Sequence, residues 1–93
     1  MAIDENDARS WGDLGLALLM SRQEEAGEEA LGRALVLDPE LAAAWYNRGL
    51  ARYFAGRWNE AVADLERAHE LAPGNEAVAQ LLRQAAQRAN LKR

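Results

Sequence analysis

No cysteine occurs in the 93 residues, which excludes disulfides, thiolate metal sites and thiol nucleophiles together. Histidine is nearly as scarce. His69 stands alone, without further ligands at metal-binding spacing, and an exposed, unremarkable imidazole is expected there. Ser10 and Ser21 have no base within helical reach, and no glycine-rich phosphate loop or nucleophile elbow is present. No catalytic residue, metal or cofactor is therefore expected. No apolar run approaches the roughly 20 residues that span a bilayer, and the acidic start, Met1 to Asp7, does not read as a secretory signal. A cytoplasmic chain without a membrane role is the expectation. Alternating apolar runs are absent too, so no strand is predicted.

Proline is limited to Pro39 and Pro73, and the three tryptophans make up half of the six aromatic residues. What is abundant is Ala and Leu, both strong helix formers. Net charge is −4, unevenly spread. Residues 1–40 carry ten acids against Arg9, Arg22 and Arg33, a balance of −7. Residues 41–93 carry five acids against eight bases, a balance of +3. The acidic first half argues against nucleic acid, because phosphate binding needs a continuous basic face. The acids Glu24, Glu25, Glu28 and Glu29 form a ridge at helical spacing, read first as a solvated helix start and otherwise as an attractor for a basic partner or a divalent cation.

The sequence repeats itself at an offset of 34 residues: Trp11 and Trp45, Gly15 and Gly49, Ala17 and Ala51, Ala34 and Ala68, Leu37 and Leu71, Pro39 and Pro73. Such self-similarity marks units that bury their apolar faces on one another. Punctuation predicts five helices: about 7–20 with Asn6 or Asp7 as cap, about 24–37, about 41–55 ending at Gly56, about 58–71, and about 76–90 capped by Asn75. Breaks of two to four residues make consecutive helices antiparallel αα-hairpins. One all-α domain over residues 1–93 is expected.

These residues resemble the tetratricopeptide repeat, a 34-residue helix–turn–helix whose pattern is Trp, two residues, Leu-Gly, two residues, Tyr, then Ala, three residues, Phe, then Pro. Repeat one, about 8–41, offers Trp11, Leu14, Gly15, Leu18, Gly27, Leu31, Ala34 and Pro39. Repeat two, about 42–75, offers Trp45, Gly49, Ala61, Leu65, Ala68 and Pro73. The segment 76–90 resembles the solvating helix that ends such arrays. Trp58, with no aromatic counterpart at Glu24, is expected to wedge under the second repeat's turn. Gly27, where the pattern has Ala, is expected to weaken its helix by roughly 1 kcal/mol. Arg48 and Arg52 stand where the pattern has Leu and Tyr, and two readings are open. Either their stems pack while their heads reach carboxylates or solvent, or they form a site for an acidic partner.

The resemblance implies a right-handed superhelical array whose first helices line a concave surface. The positions there are Gly12, Leu16, Leu19 and Met20 on the first helix, and Tyr46, Leu50, Tyr53 and Phe54 on the third. Gln80, Gln84, Gln87 and Arg88 follow on the fifth. The implied activity is non-enzymatic: a protein-interaction module holding a partner's peptide or helix on Leu16, Leu19, Met20, Tyr46, Leu50, Tyr53 and Phe54, with Asn47 available to a peptide backbone. The alternative is a scaffold that homo-oligomerises through this groove or its open repeat ends, favoured because two repeats fall short of the three that stable arrays usually need. Burial of this face by the chain's own fifth helix is a third possibility. The family's clamp for a C-terminal carboxylate would need bases and Asn at positions held here by Gly12, Leu16, Asn47, Ala77 and Leu81. Only Asn47 fits, so carboxylate clamping is not expected.

Overall fold

A computed structural model describes residues 5–91. Five α-helices follow in order: α1 Ala8–Met20, α2 Glu24–Leu37, α3 Ala42–Phe54, α4 Trp58–Leu71 and α5 Glu76–Leu91, with no strand among the described residues. Helices α1 and α2 pack along each other, as do α3 with α4 and α4 with α5, while α2 meets α3 across the junction between the hairpins. The result is a slab of 42 × 27 × 18 Å.

Local chemistry explains the ends. Asp7, not Asn6, caps α1: its carboxylate accepts from the Arg9 amide at 3.1 Å and from the Ser10 hydroxyl at 2.8 Å. The Asn75 side-chain oxygen accepts from the amides of Ala77 and Val78 at the start of α5. The hairpin turns are copies of one another. In α1 the amides of Arg22 and Gln23 donate to the carbonyls of Leu19 and Leu18; in α3 those of Gly56 and Arg57 donate to Tyr53 and Arg52. This pairing closes a helix through a left-handed residue. Gly56 adopts φ 79° there, and Arg22, its counterpart 34 residues earlier, adopts φ 63° without glycine's freedom.

The periodicity also holds inside. Trp11 donates its indole N–H to the Glu5 carbonyl and Trp45 donates to Pro39, each six residues back. Leu31 and Leu65, again 34 apart, are fully buried, each gaining about 1.5–3 kcal/mol from leaving water. Two clusters form the core. Leu31, Ala34, Leu35 and Ala44 gather Trp11, Leu19, Leu41 and Trp45 around them. Ala61, Leu65, Leu81 and Ala85 gather Tyr46, Leu50, Tyr53, Val62 and Leu82.

Two expectations are revised, at Gly27 and His69. Gly27 is a close-approach position: a Cβ there would lie 2.8 Å from the Leu19 side chain and 3.0 Å from the Gly15 carbonyl, so alanine does not fit as it stands. Tertiary packing overrides helix propensity at this point. His69 is half-buried, not exposed; its Nδ1 is enclosed with no hydrogen-bond partner among the described residues. Trp58 does lie against the turn, its ring 3.9 Å from where a Gly56 Cβ would stand, and it packs edge-on against Tyr53, at 5.2 Å between centroids, beneath the Arg88 guanidinium of α5.

Candidate functional site

The first helices of the two hairpins lie beside each other and leave a cleft of about 320 Å³ between them. Leu16, Leu19 and Met20 form the α1 wall, with Glu24 from the start of α2. Asn47, Leu50, Ala51, Phe54 and Ala55 form the opposite wall. The spacing 47, 50, 51, 54 is one stripe of α3, because residues three and four apart stack on a helix face. Met20 and Phe54 are 78% and 77% exposed, so two large apolar side chains lie open to water at one end of this cleft. Such exposure is where apolar burial by another molecule gains most.

Of the candidate contact residues, Leu16, Leu19, Met20, Asn47, Leu50 and Phe54 line the same cleft. Leu19 divides its surface, packing also on the first core cluster. Tyr46 and Tyr53 turn the other way, half-buried against the second core cluster that α4 and α5 build. Tyr53 still supports the rim, since its ring meets Phe54 edge-on at 5.4 Å. Helix-face arithmetic missed Glu24, although it follows Met20 by a single turn. A second cleft of about 320 Å³ continues from Asn47 along α1, lined by Arg9, Gly12, Asp13, Leu41, Ala43 and Ala44. Gln80, Gln84, Gln87 and Arg88 are exposed on α5.

Beneath the cleft runs a chain of ion pairs that fixes α3 against its neighbours. Arg48 forks onto Asp64 of α4, Nε to Oδ2 at 3.0 Å and Nη2 to Oδ1 at 2.9 Å. Arg52 donates to the same Asp64 at 3.0 Å and to Glu28 of α2 at 3.0 Å. Arg57 donates to Glu28 at 2.7 Å and also bonds Glu60. Asp64 is 2% exposed, and a carboxylate so buried is tolerated because two guanidiniums saturate it. Arg48 also stacks over the Trp45 ring at 5.2 Å. The heads of Arg48 and Arg52 are thus committed to internal carboxylates, and Glu28 leaves the acidic ridge to hold the hairpins together. On the exposed end of this chain, the hydrogen bond from Arg57 draws the Glu60 carboxyl below its ordinary value, and the same bond raises Arg57.

The face of the first hairpin that corresponds to this ionic one is open and more apolar, with Glu29 and Arg33 at its edge. Leu14, Leu18 and Ala30 occupy the positions of Arg48, Arg52 and Asp64, one repeat earlier. With Trp11, Arg33, Val36 and Leu37 they line a cleft of about 700 Å³, where Val36 is 83% exposed. Among the described residues no group of His, Asp and Glu is placed to hold a metal ion, and no helix is long and apolar enough to cross a membrane.

Residues 17–89 match the family model of the tetratricopeptide repeat. The chain belongs to that family. A comparison with curated proteins found no match. Among solved structures, the tetratricopeptide fold is shared with the second such domain of human RPAP3 in complex with the HSP70 peptide SGPTIEEVD. The TM-score is 0.82 at 31% identity, over 89% of this chain and 69% of that one. The first domain of Spaghetti (RPAP3) bound to the HSP90 peptide SRMEEVD superposes with a TM-score of 0.86 at 26% identity, over 90% of this chain and 67% of that one. MamA gives a TM-score of 0.89 at 28% identity over 95% of this chain, which spans only 48% of the MamA chain.

Of the positions a tetratricopeptide carboxylate clamp would use, Leu81 lies in the second core cluster, Gly12, Leu16 and Asn47 line the clefts, and Ala77 is exposed. None of them supplies a positive charge.

Proposed function

We propose that this tetratricopeptide chain is a protein-interaction module that holds a partner's helix or extended segment in the cleft between α1 and α3, and that it performs no catalysis. The observation that carries the reading is the juxtaposition of Met20 and Phe54, both largely exposed, over the Leu16–Leu19–Leu50 floor. The peptide-bound neighbours support a polypeptide as the occupant class. Leu16, Leu50 and Phe54 are the anchors, Met20 adapts to the partner's shape, and Asn47 bonds its backbone. Tyr46 and Tyr53 act from behind by stiffening α3. Phe54→Glu abolishes capture of a partner segment on this reading while the far-ultraviolet circular dichroism stays helical. Capture unchanged by that substitution rejects it.

A second reading is favoured by a different surface. The open face of Leu14, Leu18, Val36 and Leu37 is apolar, and its counterpart on the second hairpin is covered by α2. Self-association would cover it in the same way. Sedimentation velocity over a concentration series tests this, with Val36→Glu as control: a strict monomer at high concentration removes the reading.

A further inference from the structure

The charges along the cleft are of the wrong sign for the peptides its structural neighbours hold. The apolar cleft between α1 and α3 has one charged side chain in its lining, Glu24. The continuation beyond Asn47 adds Asp13, with Arg9 beside it. Neither Glu24 nor Asp13 has an ion-pair partner among the described residues, and both are exposed. By contrast, Glu28, Glu60 and Asp64 are all occupied by arginines, and Arg48, Arg52 and Arg57 are consumed by them. The guanidiniums of α3 are therefore already neutralised, while Glu24 and Asp13 along the cleft, with Arg9 beside Asp13, have no ion-pair partner among the described residues, which leaves the balance negative.

Resting on the reading of the cleft as a peptide site, we propose that its occupant is an apolar segment bearing basic side chains, seated with one lysine or arginine against Glu24 and another toward Asp13. The RPAP3-type neighbours are bound to peptides ending in Glu-Glu-Val-Asp. Such a tail would bring its own carboxylates beside Glu24 and Asp13, and like charges brought together at an interface weaken it. A basic segment gains from the same groups twice. Its alkyl stems lie on Leu16, Met20 and Phe54 while its ammonium heads reach the carboxylates at the edges.

The test uses three fluorescently labelled probes on the full chain, the first two end-blocked and the third with a free C-terminal carboxylate. Two are twelve-residue helical peptides with an identical leucine stripe, one flanked by two lysines and one by two glutamates; the third is SRMEEVD. The lysine peptide should bind at least fivefold tighter than the glutamate peptide at low salt, and SRMEEVD weakest of all. The difference should shrink as salt screens the exposed charges. Glu24→Gln with Asp13→Asn should remove the preference while leaving the leucine-dependent binding in place. A glutamate peptide that binds as well as the lysine peptide, and is lost on Phe54→Glu, overturns the charge assignment and leaves the cleft reading standing. A lysine peptide that fails to bind, or binds Phe54→Glu unchanged, overturns both.

Discussion

Glu28 of the first hairpin and Arg52 of the second meet at 3.0 Å, joining two units that also share the apolar cluster of Leu31, Ala34, Leu35 and Ala44. The contact belongs to a chain in which Arg52 also serves Asp64, and Glu28 also serves Arg57. The junction between repeats is thus both ionic and apolar, and the second hairpin carries buried ion pairs of its own, from Arg48 and Arg52 to Asp64.

Removing the middle of that chain should be costly. Asp64→Ala leaves two half-buried guanidiniums without their shared acceptor, and breaking a buried pair from one side costs about 3–5 kcal/mol. Replacing the whole set should not be. Arg48→Leu, Arg52→Leu and Asp64→Ala together copy Leu14, Leu18 and Ala30, and such swaps are often neutral or stabilising. Urea denaturation of both variants checks the contrast. A triple variant as unstable as the single one would show that the ion pairs contribute net stability.

Gly27→Ala should destabilise the chain by about 1–3 kcal/mol, the usual range for overpacking, although alanine is the better helix former. The added methyl meets Leu19 and the Gly15 carbonyl. Gly49→Ala should behave alike, since its Cβ would lie 2.8 Å from the Leu65 side chain. Thermal unfolding of the two variants decides this.

Arg22→Gly should stabilise. The left-handed backbone at this position costs a residue with a Cβ about 1–2 kcal/mol, part of which is returned as the greater entropy of glycine in the unfolded chain. A net gain of about 0.5 kcal/mol is expected by chemical denaturation, and Gly56→Ala should lose stability for the converse reason.

Glu60 titrates below the ordinary carboxylate range because Arg57 donates to it. A folded value below the unfolded one means that its contribution to stability is present above the ordinary glutamate value. That contribution fades as pH falls through the lowered one. An NMR titration of the Glu60 carboxyl should show the depressed midpoint, and Arg57→Gln should return it upward.

The helices were legible because punctuation and period agree. Pro39 and Pro73 stop two of them, Asn75 caps a third, and Trp11 and Trp45 make the same indole hydrogen bond six residues back, although different arginines cover their rings. The cleft was legible in part. Face arithmetic on α1 and α3 picked out Leu16, Met20, Leu50 and Phe54, but it could not see that α4 and α5 draw Tyr46 and Tyr53 toward their own core. The partners of Arg48 and Arg52 lie 12 to 24 residues away, on other helices, beyond the reach of helical spacing. One signal was available: Asp64 replaces Ala30 in the same repeat where two arginines replace leucines. Arginine itself does not announce a left-handed turn at Arg22, and the only signal was its place 34 residues before Gly56.

The ionic face of α3 and α4 also sets the order of the two units along the chain. Were the second hairpin placed first, Asp64 and its arginines would face outward and Glu28 would lose Arg52. Leu14 and Leu18 would instead receive α4, which carries Val62 where α2 carries Glu28. The two hairpins share one backbone plan, yet a circular permutation that exchanged them would mismatch every charge at the seam.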